Sequence, residues 1–168
     1  MIKFLKIRDV KSPIRDLGNA GIDVFVPNYS KEFFNDLTEK NPHLTITDTR
    51  IFLKPQESVL IPLGLKTHFD QNLALELANK SGVASKKKLF VGASVVDSSY
   101  QGEIHAHLVN VGNETQTIAF GEKITQIIPR VICIDELDVY DLGTTSEEFY
   151  DGTTSTRGEG GFGSTGTM

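Results

Sequence analysis

The stretch LFVGASVVDSSYQGEIHAHLVNVGNETQTIAFGEKITQIIPRVICI, residues 89–134, decides the fold. It reads as short apolar segments separated by turn residues, rich in β-branched side chains and without helical periodicity, the pattern of an all-β barrel or sandwich. Strands are expected over 89–96, 103–111, 117–120 and 124–134, and the same pattern upstream adds 58–63 and 72–77. Gly64, Gly82, Gly102, Gly112 and Gly121 fall near the ends of these segments, where tight turns favour glycine.

Two regions depart from that rhythm. SKEFFNDLTEK, residues 30–40, carries Phe33, Phe34 and Leu37 at helical spacing, with Ser30 as a cap and Asn41-Pro42 as a stop. It predicts a short surface helix inserted between two strands. From Gly143 onward the chain is rich in Gly, Thr and Ser, and its large apolar residues are Phe149, Tyr150 and Phe162. Such a segment buries too little surface to offset its ordering entropy and reads as a mobile arm. The expected organisation is one β-domain over 1–142, with an insertion at about 29–49, followed by an arm over 143–168.

The length of 168 residues suits one domain that buries about two thirds of its unfolded surface. Cys133 is the single cysteine, so no intrachain disulfide forms, and no Cys/His spacing resembles a zinc site. The opening MIKFLKIRDV interleaves charges with apolar residues, unlike a signal peptide or membrane span, which points to a soluble, cytoplasmic protein with no membrane partner. A net charge of -5 argues against nucleic-acid binding, which draws on many Lys and Arg contacts to phosphate. A small anionic ligand stays compatible where cations or backbone amides are gathered locally.

RGEGGFGSTG, residues 157–166, contains G-x-G-x-x-G in form, yet it lacks the strand before, the helix after and the downstream acid of a dinucleotide loop. Its chemistry is a pliable backbone able to wrap an anion, with a fixed charge at Arg157, hydroxyls at Ser164 and Thr165 and one ring at Phe162. Lys80-Ser81-Gly82 offers a cation, a hydroxyl and an amide in succession. Asp97 lies between an apolar strand and the turn Ser98 to Gly102, so a hairpin loop should project it into a cleft; taken alone, it reads first as a turn-capping aspartate. His105 and His107 share one strand side but lack a third ligand, and Lys86, Lys87 and Lys88 read as a solvated loop able to steer an anion.

Five segments in order resemble the motifs of the trimeric dUTPase family: AGIDVF at 20–25, NKSGVASK at 79–86, VGASVVDSSYQGEI at 91–104, GEKITQII at 121–128 and the glycine-rich tail. The resemblance implies a jelly-roll-like β-barrel, a homotrimer whose sites draw on neighbouring copies, and Mg²⁺-dependent hydrolysis of dUTP to dUMP and pyrophosphate. That reaction limits uracil incorporation into DNA and supplies dUMP for thymidylate synthesis. It implies further that Asp97 orients and deprotonates the attacking water, and that Tyr100 packs against the deoxyribose where a 2′-hydroxyl would project. Ser94, Val96 and His105 would read uracil through backbone groups. Lys80, Ser81, Gly82 and Gln126 would hold the phosphates, and Arg157, Phe162, Gly163 and Ser164 would close over bound substrate. Asp23 would act near the metal through water.

Three departures stand out: Lys80 where the family has arginine, Ser94 where glycine is common, and Ile22 in place of a tyrosine. The extra segment at 29–49 is of a kind common in viral and phage members and is a candidate face for a protein partner. A deaminase of dCTP from the same superfamily is the nearest rival enzyme, and a dUTP-sensing regulatory protein is the rival from another class. The complete tail and Asp97 favour the hydrolase.

Overall fold

The computed structural model describes residues 1–133, 137, 139–140, 143–153 and 155. Met1–Cys133 forms one compact unit and Ile134–Met168 a second. The first unit carries twelve strands: β1 Lys3–Lys6, β2 Ile22–Phe25, β3 Thr45–Ile46, β4 Arg50–Leu53, β5 Ser58–Pro62, β6 Leu65–His68, β7 Leu73–Asn79, β8 Leu89–Val91, β9 Val95–Val96, β10 His105–Asn110, β11 Gln116–Ala119 and β12 Lys123–Val131. They pair antiparallel in the orders β1-β6, β5-β10-β8, β11-β4-β3 and β2-β12-β7-β9, an all-β, jelly-roll-like arrangement.

Alternation makes one core from these ribbons. Ala106, Leu108 and Asn110 of β10 point inward while His105, His107 and Val109 do not, and Leu75 and Leu77 of β7 repeat the period of two. The segment 89–96, expected as one strand, is two. β8 pairs with β10, then Gly92 and Ala93 turn the chain so that β9 pairs with β7. The break lies within an apolar run, and apolar content does not specify a pairing partner.

The helix α1, Lys31–Lys40, forms as predicted, with the Ser30 hydroxyl accepting from Phe33 N–H at 3.1 Å. It is not a surface decoration: Phe33 and Leu37 are 1% and 0% exposed, and Phe33 meets Phe120 edge-on at 5.4 Å. Sequence spacing showed the apolar stripe but not what covers it.

Asn41 caps this helix and is itself 1% exposed. Its amide donates to Leu37 O at 2.8 Å and Leu60 O at 2.9 Å, while its Oδ1 accepts from Leu60 N–H at 2.8 Å. The side chain thus pairs with β5 as a peptide group of a neighbouring strand would. Asn41→Ala removes the side-chain partner of the Leu60 N–H and C=O, while Leu37 O keeps its bond from the Asn41 main-chain N–H at 3.1 Å, and is expected to cost about 2 kcal/mol, measured by urea unfolding.

In the second unit, α2 spans Ser146–Phe149, and Phe149 meets Tyr140 and Tyr150 at 5.1 and 4.9 Å. The capping box of Thr145 and Glu148 nucleates this turn inside a stretch that composition marked as an arm.

Candidate active site

The hairpin formed by β8 and β10 carries a loop over 92–104, and its residues line a cavity of about 210 Å³ with Leu60 and Leu77. Ser94, Val96, Asp97, Tyr100 and His105 are all on this lining, so the structure brings together the hairpin residues the sequence singled out. Asp97 is exposed, and its carbonyl accepts from Tyr100 N–H at 3.1 Å, which closes the turn. Pockets enclosing a whole drug-sized ligand occupy about 300–1,000 Å³, so this one has room for a nucleoside portion and not for a triphosphate.

Each wall has a local cause. The Tyr100 hydroxyl donates to Glu103 O at 2.8 Å, and its ring lies over Gly102, where an added Cβ would stand 2.3 Å from the phenol oxygen. Ser94 is accommodated: Gln56, Lys88 and Asp151 are the positive-φ non-glycine residues among those described, so Ser94 keeps an ordinary backbone. Its carbonyl accepts from Leu77 N–H at 2.7 Å, which fastens the loop to β7. His107 Nδ1 accepts from Ala93 N–H at 3.1 Å, which ties the loop to β10.

A second cluster sits where β2, β12 and the end of β7 meet. Asp23 accepts from Lys80 on one oxygen and from Lys123 at 2.8 Å on the other. Gln126 lies opposite Asp23 in the β2–β12 register and donates to Asn79 O at 2.9 Å. Gly21 makes this possible, because a Cβ there would fall 2.1 Å from Gln126 Oε1. Lys123 and Gln126 are three apart, which in regular pleating places them on opposite faces. The register shift between Lys123 and Thr125 adds one residue and returns both to the face of Asp23. Lys123 was not singled out from the sequence, although it stands in GEKITQII; its role depends on that bulge.

Lys80, Ser81 and Gly82 follow β7 and lead into a π-helical turn, Val83–Lys87. Lys87 does not belong to a solvated run: its ammonium donates to Thr117 O at 2.9 Å and pairs with Glu122, tying this turn to the β11–β12 connection. Arg157, Phe162, Gly163 and Ser164 lie outside the described residues.

Burial pushes the Asp23 carboxyl up, but hydrogen bonds from Lys123 and Lys80 and their charges outweigh it and hold the group below its ordinary 3.8. A carboxylate with a depressed folded value contributes stability fully above the unfolded value and loses it as pH falls through the folded one. Asp23→Asn is therefore expected to cost about 1–2 kcal/mol above pH ~5, with the gap to the unsubstituted protein closing below pH ~4 in urea titrations.

The two clusters do not meet within one chain. Leu75 pairs with Val96 and Glu76 with Val95, so Asp97 continues away from Lys80, level with Ala74. Six residues of strand separate those levels, about 20 Å at about 3.3 Å per residue. Among the described residues no group of three or more His, Cys, Asp or Glu is placed to hold a metal ion. No helix among them is long and apolar enough to cross a membrane.

A family model for dUTPase matches residues 43–166. The deoxyuridine 5′-triphosphate nucleotidohydrolase of Hahella chejuensis is 38% identical over 120 residues, 70% of this chain and 73% of that protein. That of Shewanella amazonensis is 36% identical over 123 residues, covering 71% and 75%. Among solved structures, the dUTPase of Staphylococcus bacteriophage 80alpha with dUPNHPP superposes with a TM-score of 0.73 at 21% identity, covering 99% of both chains. The dUTPase of phage phi11 of S. aureus, which coordinates a structural Mg(II) ion, gives 0.64 at 18% identity over 86% of this chain and 99% of that one. At such identities these two likenesses speak for the fold.

Proposed function

The chain belongs to the dUTPase family, and from that premise we infer that it hydrolyses dUTP to dUMP and pyrophosphate at a site assembled between copies of itself. The observation that carries this reading is the exposed Asp97 on the lining of a nucleoside-sized cavity, about 20 Å along the sheet from the cations it must work with. A homotrimer with shared sites joins the hairpin of one copy to the Lys80, Ser81 and Gln126 cluster of the next.

In this site Asp97 takes a proton from water as its oxygen attacks the α-phosphorus. The bond from that phosphorus to the α,β-bridging oxygen breaks, and pyrophosphate leaves. Lys80 and Gln126 hold the phosphates by charge and amide donation, and the Ser81 hydroxyl supports the leaving oxygen. Tyr100, its phenol tethered to Glu103, fills the space of a 2′-hydroxyl. The loop over 94–105 reads uracil, and Arg157, Phe162, Gly163 and Ser164 close over it.

Mg²⁺ bound to the triphosphate would neutralise charge and align the α-phosphate. The residues fit a cation that arrives with substrate: among the described residues the carboxylates form no cage, and Asp23, already paired with two lysines, would reach it through water. The activity suits the cytoplasm, with limitation of uracil in DNA and supply of dUMP as its purpose.

The test is product identification from each deoxynucleotide with Mg²⁺. Release of dUMP and pyrophosphate from dUTP is expected, whereas dUTP from dCTP would establish the deaminase and tight dUTP binding without turnover the sensor. Removal of residues 157–168 should leave the oligomer intact and lower turnover by about 10²-fold or more; full activity of the shortened chain would remove the arm from the mechanism.

A further inference from the structure

The inserted helix reaches the substrate hairpin through one residue of the N-terminal segment. Arg8 Nε donates to Glu103 Oε1 at 2.7 Å and its Nη2 to Glu103 Oε2 at 2.8 Å, a two-pronged grip. The same Nη2 donates to Asp36 Oδ2 of α1 at 2.5 Å, and the guanidinium stands 5.8 Å from the centre of the Phe33 ring. These side chains are 15%, 11% and 25% exposed for Arg8, Glu103 and Asp36, so solvent screens them only in part. Lys40 pairs with Asp36 at 3.1 Å and brings the group to charge balance.

What Arg8 grips is the residue on which both walls of the nucleoside cavity hang. The Glu103 carbonyl accepts the Tyr100 hydroxyl at 2.8 Å and meets His105 Nδ1 at 2.8 Å. A carbonyl only accepts, so His105 Nδ1 bears the proton, and in the neutral ring Nε2 is left as a lone pair; it is buried with no partner. Gly64 N–H adds a 2.7 Å bond to the Glu103 carboxylate, and Ile104 is fastened on both sides by main-chain bonds to Leu63 and Leu65.

We infer that Arg8, backed by Asp36 of the inserted helix, is a positioning residue for the nucleoside wall, setting Tyr100 and His105 through Glu103. The inference rests on the dUTPase reading for its kinetic consequences. Without Arg8, the Glu103 carboxylate loses both prongs of its grip and is left to Gly64 N–H, Asp36 is left to Lys40, and the turn that presents the Glu103 carbonyl to Tyr100 and His105 loosens. Lysine preserves the charge but not the fork. The insertion thereby acquires a task at the active site: its Asp36 keeps the guanidinium aimed.

The experiment compares Arg8→Gln, Arg8→Lys and Asp36→Asn with the unsubstituted protein in steady-state turnover of dUTP and UTP, and in ring ¹⁵N spectra of the ligand-free protein. Arg8→Gln is expected to raise KM for dUTP about tenfold and to narrow the dUTP-over-UTP ratio of kcat/KM by a similar factor, with kcat within about threefold. Arg8→Lys should fall between, and Asp36→Asn should shift the ratio in the same direction by about threefold. The His105 ring should lose its fixed Nδ1-protonated form in Arg8→Gln. A lowered melting temperature with unchanged ratio and unchanged His105 spectrum would overturn the inference and leave Arg8 a clasp for the helix. An unsubstituted protein inert toward dUTP would count against the enzymatic reading instead, and the His105 spectrum would then decide the role of Arg8.

Discussion

Asp97→Asn should lower dUTP turnover by about 10²- to 10⁴-fold while leaving dUTP binding within a few fold. Asparagine keeps the shape and hydrogen-bonding reach of the side chain but cannot take a proton from water. Because Asp97 is exposed and its part in the turn is played by its carbonyl, the substitution leaves the hairpin intact. Single-turnover kinetics with a parallel binding titration separate the two effects. Near-normal turnover would remove Asp97 from the chemistry.

The second large effect is complementation between two crippled chains. Asp97→Asn lacks the base, and the double variant Lys80→Ala with Ser81→Ala lacks phosphate contacts, so each alone should fall to about a hundredth of normal activity or less. If every site takes its hairpin from one copy and its phosphate cluster from another, unfolding and reassembling an equal mixture gives each site two independent even chances of intact halves. About a quarter of normal activity should return. Were both halves drawn from one chain, no assembled oligomer would hold an intact site, and the mixture would stay as inactive as its components. The roughly 20 Å between the two clusters makes the first outcome the expected one.

Much of this was legible in the residues. The β pattern, the α1 boundaries and the hairpin that carries Asp97 follow from local periodicity, capping chemistry and turn composition, whereas Ser94, Val96, Tyr100 and His105 are pointed out by the resemblance of the motif to its family. Other features lie outside such local rules. The division of 89–96 between two sheets is a choice of partner, made by distant strands. The burial of Phe33 and Leu37 depends on a core that the spacing of α1 does not reveal. Lys123 joins Lys80 at Asp23 because a bulge changes the phase of β12, and Arg8 meets Glu103 across 95 positions of chain. Ion pairs of that reach are set by topology, which periodicity does not encode.

The carboxamide of Asn41 has one more effect. A terminal strand with a free row of amides and carbonyls invites addition of foreign β-structure, and β5 ends its sheet beside the exposed Leu60. By occupying both backbone groups of that residue, a single side chain interrupts the template at its midpoint. Addition of foreign strands and fibrous stacking along this margin are thereby discouraged.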